Sequence, residues 1–132
     1  MPPQTPVGLI GVGLMGEVYA TRLISAGFGV VGCDVDPARM KRLVQLGGRA
    51  GSLAEIAQQC DPIVIAVFST DQVEDVVEGA FAPAAARKIV ICTSTCDPDR
   101  IAALGARVAQ ALHFLEVPVS GTSVQVRQPG RK

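Results

Sequence analysis

Apolar residues along this chain switch repeatedly between two spacings. Val7-Gly8-Leu9-Ile10 is a short apolar run of the kind a buried strand shows, and Met15 to Ala26 then carries Met15, Val18, Tyr19, Leu23 and Ala26 at helical spacing. Gly27 stands where a helix takes a left-handed cap. A valine-rich second strand is predicted over Gly29 to Asp34, and Asp36-Pro37 supplies an N-cap and a first-turn proline for a helix ending near Gly47-Gly48. Arg49-Ala50 reads as a short extended piece. Ser52 with Glu55 has capping-box spacing and opens a third helix to about Gln59. Ile63-Val64-Ile65-Ala66-Val67 has the continuous β-branched character of a strand buried on both faces. A helix over roughly Asp71 to Glu78, a loop with Pro83 and a fifth strand at Lys88 to Thr93 follow. Asp97-Pro98 starts a last helix through about Leu112, and a sixth strand is predicted over Phe114 to Val119.

Strand and helix alternate throughout, which predicts an α/β fold with a doubly wound, mostly parallel sheet. Right-handed crossovers make 3-2-1-4-5-6 the leading strand order, the Rossmann-type topology. The length of 132 residues suits one domain, expected over residues 1–122, with a polar tail at 123–132 that includes Pro129 and Gly130. Twelve basic residues balance twelve acidic ones, so no net field draws the chain to nucleic acid or to an anionic membrane. A small-molecule partner is expected. The N-terminus does not resemble a secretory signal, and the longest dense apolar run, Ile63 to Phe68, is far short of a membrane span. The expected location is the cytoplasm. Cysteines 33, 60, 92 and 96 form no Cys-x-x-Cys pair and His113 lies away from them, so reduced thiols and no metal site are expected. Cys92 and Cys96 could meet across a turn.

Gly11-Val12-Gly13-Leu14-Met15-Gly16 follows a predicted strand and opens a predicted helix, the context in which a glycine loop holds a dinucleotide. Gly11 permits the tight turn, Gly13 lets the backbone approach a pyrophosphate, and Gly16 lets the helix pack close to the strand. The helix-start amides, at Leu14, Met15 and Gly16, then face the phosphates, where the helix dipole favours negative charge. Asp34 ends the second strand 18 residues after Gly16, close to the usual spacing of about 20 for an acid that binds the adenosine ribose. The same carboxylate would repel a 2′-phosphate, and Val35, Asp36 and Pro37 follow it without an arginine, which favours NAD over NADP. Phe68, Ser69 and Thr70 sit at the carboxyl end of the fourth strand, where ligands gather in open α/β sheets.

With these residues in place, the sequence from Val7 to about Gly121 resembles the β-hydroxyacid dehydrogenases, the group of 3-hydroxyisobutyrate dehydrogenase and tartronate semialdehyde reductase. 6-Phosphogluconate dehydrogenase is a more distant relative of that group. The family's Gly-x-Gly-x-Met-Gly loop is similar to Gly11 to Gly16, with Met15 in the distinctive place. Its Asp-x-Ser-Thr-x-x-Pro segment is similar to Cys92-Thr93-Ser94-Thr95-Cys96-Asp97-Pro98, with Cys92 where the family has the acid. The resemblance implies that Ser94 and Thr95 line the nicotinamide end of the cleft; as a helix-capping turn the same residues are equally well explained. The family's Asp-Ala-Pro-Val-Ser-Gly-Gly segment is similar to Glu116 to Thr122, which implies that Ser120 and Gly121 hold a substrate carboxylate. A simple strand exit is the other explanation of that segment.

The resemblance also implies an NAD-dependent oxidation of a small hydroxyacid, with a lysine as general acid/base on a helix well beyond the Ser-Gly motif. That lysine has no counterpart in this sequence, nor has the helical second domain, so a truncated gene product or a fragment is expected, with no catalytic residue in the chain. An exposed sixth strand and a bare docking surface predict a homo-oligomer. Two other functions stay open: an NAD-holding module without catalysis, and a Rossmann-like methyltransferase that binds S-adenosylmethionine, against which Met15 and Gly16 count.

Overall fold

Short runs of β-branched residues form the centre of the fold. The structure, a computed structural model, describes residues 5–84 and 87–117. β1 (Val7–Ile10), β2 (Val30–Cys33), β3 (Arg49–Ala50), β4 (Ile63–Ile65), β5 (Ile89–Cys92) and β6 (His113–Glu116) make one parallel sheet in the order β3-β2-β1-β4-β5-β6. This is the predicted order. β1 lies at the centre, with Leu9 opposite Gly32 of β2 on one side and opposite Val64 of β4 on the other.

The helices are α1 (Leu14–Ser25), α2 (Pro37–Gln45), α3 (Leu53–Gln59), α4 (Thr70–Val76) and α5 (Pro98–Val108). They cover both faces of the sheet. Leu9, Val12, Ala20, Val30 and Leu43 are buried together on the face of α1 and α2. Ile56, Val73, Val77, Phe81, Ile101 and Leu104 pack with Ile63, Ile65, Val90 and Cys92 on the other. Burial of this kind is worth about 1.5–3 kcal/mol for each large side chain, and it is what holds helices as short as α3 and α4 in place.

Local chemistry sets the boundaries. The Asp36 carboxylate accepts from Ala38 N at 2.9 Å, with Pro37 in the first turn of α2. Ser52 and Glu55 form the expected capping box at the start of α3. Gly27, at φ +94°, closes α1, and the amides of Gly27 and Phe28 donate back to the carbonyls of Ile24 and Leu23. Some boundaries differ from the expectation. α4 does not stop near Glu78: it runs on as a π-helical turn over Val77–Phe81 that puts Val77 and Phe81 fully into the core. β4 ends at Ile65, two residues early, although the amide of Ala66 still donates to the Ile10 carbonyl at 2.8 Å. α5 ends at Val108, where Ala111 and Leu112 both donate to the Val108 carbonyl and turn the chain into β6.

β6 starts at His113 and ends at Glu116, with Val117 already past the strand, against the predicted Phe114 to Val119; Pro118, Val119, Ser120, Gly121 and the polar tail lie outside the described residues. Among the described residues no helix is long and apolar enough to cross a membrane, and no group of three or more His, Cys, Asp or Glu side chains could hold a metal ion.

Candidate functional site

Parallel strands send their carboxyl ends to one edge of the sheet, and β1 is the strand from which the order departs in both directions. A crevice opens at such a point. Here it is a cleft of about 290 Å³ lined by Gly11, Gly13, Asp34, Val35, Val67 and Phe68, among others.

The three glycines of the loop have three different reasons to be glycine. Gly11 adopts φ +91°, and a Cβ there would lie 2.4 Å from the Ala66 carbonyl oxygen, so the turn out of β1 admits no side chain. A Cβ on Gly16 would lie 2.1 Å from the Gly11 carbonyl oxygen, which is the close approach of α1 to β1. Gly13 differs. Its backbone, at φ −76° and ψ −159°, suits any residue, and a Cβ would meet only Arg39 Nη1, at 4.0 Å. Nothing in the protein requires a glycine here; the free space is on the outside of the loop, where a ligand would lie.

The donors in the loop are also left free. α1 has no side-chain cap, and its first backbone bond runs from Glu17 N to the Gly13 carbonyl at 2.8 Å. The amides of Leu14, Met15 and Gly16 precede that bond and have no partner within the helix. Three free amides at the positive end of a twelve-residue helix suit a phosphate.

Asp34 ties the loop to β2. Its carboxylate accepts from Val12 N at 2.7 Å and from Asp36 N at 2.9 Å, one amide to each oxygen. Each oxygen keeps a lone pair for a hydroxyl on the cleft side. Cys33 beside it stays a thiol, since burial, and after it the Asp34 charge, push its pKa up. Val35, 94% exposed, and Phe68, 90% exposed, stand at the two sides of the opening. Large apolar side chains left bare at a cleft mouth mark a ligand surface.

The other expected residues are placed differently. Leu14 is exposed at the start of α1, Met15 is half-buried and Gly16 is buried. Ser69 caps α4, accepting from Gln72 N at 3.2 Å, and Thr70 Oγ1 accepts from Asp97 N at 3.0 Å. Ser94 is 7% exposed, and its hydroxyl accepts from Val67 N at 2.9 Å. Thr95 is exposed on the turn beside it. Gly11, Gly13, Asp34 and Phe68 line the cleft together; Leu14, Met15, Gly16, Ser69, Thr70, Ser94 and Thr95 are not among its lining residues.

Sequence reasoning missed Arg39 and the α4 side of the cleft. Arg39 reaches from the first turn of α2 to the Val12 carbonyl, at 3.4 Å, and puts a cation beside the loop. It stands five residues after Asp34, beyond the positions in which an arginine was sought. Gln72 and Asp75 line the cleft from α4, and Gln72 Oε1 accepts from the amides of Phe68 and Ser69. Their helical spacing reads only as a solvent face in the sequence.

A loop of this geometry, followed by an acid just after β2, is matched over residues 6–130 by the family described as the NAD binding domain of 6-phosphogluconate dehydrogenase. The chain belongs to that family. NAD is accordingly the cofactor of this domain, and the free amides and the uncrowded Gly13 fit it. The chain is 41% identical over 120 residues to L-threonate dehydrogenase of Cupriavidus necator, a match that covers 87% of this chain and 40% of the relative. It is 32% identical over 126 residues to mitochondrial 3-hydroxyisobutyrate dehydrogenase of Mus musculus, covering 92% of this chain and 38% of that protein. A crystal structure of 3-hydroxyisobutyrate dehydrogenase from Salmonella typhimurium superposes with a TM-score of 0.83 at 30% identity, covering 94% of this chain and 45% of the other. The resemblance to β-hydroxyacid dehydrogenases therefore holds, and this NAD-binding chain spans about 40% of the length of the curated relatives it matches.

Proposed function

We propose that this chain is the cofactor-holding part of an oxidoreductase that passes hydride between a small β-hydroxyacid and NAD, with NAD preferred to NADP. The observation that carries this reading is Gly13: it is a glycine the protein does not need, set beside free helix-start amides and a ribose-facing Asp34. The nicotinamide supplies the chemistry by accepting or giving a hydride. What this chain's residues do is bind and orient.

The amides of Leu14, Met15 and Gly16 would hold the pyrophosphate, and Asp34 would accept from the adenosine ribose. Val35 would cover the adenine end, and Phe68 would exclude water from the sugar and ring beyond. Ser94 and Thr95 would bound the nicotinamide end; the Ser94 hydroxyl hydrogen is not used in its bond to Val67 N and is free to donate. Ser120 and Gly121 remain the proposed holders of the substrate carboxylate. Asp34 opposes a 2′-phosphate by its charge. Arg39, near the same loop, pulls the other way, so the preference for NAD rests on Asp34 lying closer to the ribose.

A second reading has its own support. Neither described lysine is in the cleft: Lys41 is exposed on α2, and Lys88 is buried, donating to the Cys60 carbonyl at 2.9 Å. On this reading the chain by itself would bind the cofactor without proton transfer. Calorimetric titration with NADH and NADPH, with Asp34→Ala beside the natural sequence, tests both readings. NADH binding that Asp34→Ala weakens, together with weaker NADPH binding, is expected. Equal affinity for the two cofactors would overturn the NAD preference, and hydroxyacid turnover by this chain alone would overturn the non-catalytic reading.

A further inference from the structure

The turn between β5 and α5 carries two thiols that the cofactor site does not use. Cys92 ends β5 and is buried, and Cys96 is half-buried on the turn. Their sulfurs lie 4.0 Å apart. Between them stands Ser94, whose hydroxyl holds the amide of Val67, and Val67 lines the cleft. Thr93, next to Cys92, donates through Oγ1 to the Ile65 carbonyl at 2.8 Å, so the turn is fastened to the outgoing end of β4 at two points.

We propose that Cys92 and Cys96 are a thiol pair that closes reversibly to a disulfide by exchange with a low-molecular-weight disulfide, and that closure resets the turn holding Val67 at the cofactor cleft. The second half rests on the function proposed above; the first does not. A disulfide brings its sulfurs to about 2.05 Å, so closure draws the two side chains together by about 2 Å across the turn. Thr93 and Ser94 lie between the two cysteines, so that movement bears on their bonds to the β4 end.

The order of the exchange follows from the burial. Burial pushes the Cys92 thiol up to about 12, and the nearby Cys96 and Glu116 add to the rise, so Cys92 is not the attacking group. The Cys96 thiolate attacks one sulfur of the small disulfide and expels one thiolate. The sulfur of Cys92 then attacks the sulfur of Cys96, and its proton passes to the second thiolate as that group leaves. Two protein thiols lose two hydrogens, and one small disulfide becomes two thiols.

The experiment treats the full chain with oxidised glutathione and maps it after digestion with trypsin. Cleavage after Lys88 and Arg100 leaves both cysteines in one peptide, Ile89 to Arg100. That peptide is expected to be lighter by two hydrogens, to resist alkylation and to return to the dithiol with a reductant. Cys96→Ser should prevent all reaction in this peptide, and Cys92→Ser should trap a mixed disulfide with glutathione at Cys96. A peptide that stays reduced, or a mixed disulfide that persists in the natural sequence, would overturn the pairing. NADH titration of the closed form is expected to show affinity lowered by about tenfold from the reduced form; equal affinity would overturn the coupling to the cleft. Failure of the reduced chain to bind NADH would count against the proposed function, while the peptide masses would still decide the pairing.

Discussion

The turn after β1 and the turn after β5 leave the same edge of the same sheet, and they spend their polar groups in opposite ways. In the first, Gly11 and Gly16 are fixed by backbone contacts, Gly13 faces open space, and the amides at the start of α1 have no partner. In the second, the Thr93 hydroxyl donates to the Ile65 carbonyl, the Ser94 hydroxyl accepts from Val67 N, and the Asp97 carboxylate caps α5 through Asp99 N and Arg100 N. One turn leaves its backbone donors open toward the cleft side. The other has its polar groups largely engaged, and it holds the end of β4 in place. A hydroxyl in a Ser-Thr segment thus need not point into the cleft to matter to it.

The largest effect should come from filling the contacts that fix the first turn. Gly16→Ala would force α1 away from β1, at a cost on the order of 3 kcal/mol, seen as a much lower melting temperature with or without cofactor. Asp34→Ala comes next. It removes a charged acceptor from Val12 N and from the ribose, and NADH affinity in calorimetry should fall by about 10- to 100-fold, with a smaller loss of stability. Ser94→Ala should behave in the reverse way: about 1–2 kcal/mol of stability lost in denaturant unfolding, as Val67 N loses its partner, and a smaller change in NADH affinity than Asp34→Ala gives. If Ser94→Ala instead lowered affinity as much as Asp34→Ala at unchanged stability, the contrast between the two turns would be broken.

The smallest effect belongs to the exposed ion pairs of α4 and α5, where Arg100 meets Asp71 and Glu74, and Arg107 meets Glu78 at 2.8 Å. The hydrogen bond from Arg107 holds the Glu78 carboxyl below its ordinary value. A lowered folded value means that this contribution is present above the ordinary carboxylate range and is lost as pH falls through the lowered one. Melting temperatures taken from about pH 6 down to about pH 3 should decline slightly less in Glu78→Gln than in the natural sequence.

The sheet order was legible because each βα unit carries its own punctuation: Asp36-Pro37, Ser52 with Glu55, and Asp97-Pro98 all cap the helices they predict. The glycine loop and Asp34 were legible for a related reason, since their spacing is set by one strand, one helix and the next strand. What depends on contacts between distant segments was not. The π-helical turn over Val77–Phe81 follows from the core's demand for Phe81, which no local spacing shows. Ser94 is engaged by Val67, 27 residues earlier, and Arg39 reaches back 27 residues to Val12. Both relations exist only once the sheet has formed.

The central claim is that Gly13 is glycine for the sake of the cofactor. The direct measurement is NADH titration of Gly13→Ala beside the natural sequence, with the melting temperature of each. The account predicts saturable NADH binding to the natural chain and affinity at least about tenfold lower in the variant, at a stability cost below about 1 kcal/mol. Unchanged NADH affinity in a variant that melts with the natural chain would contradict it.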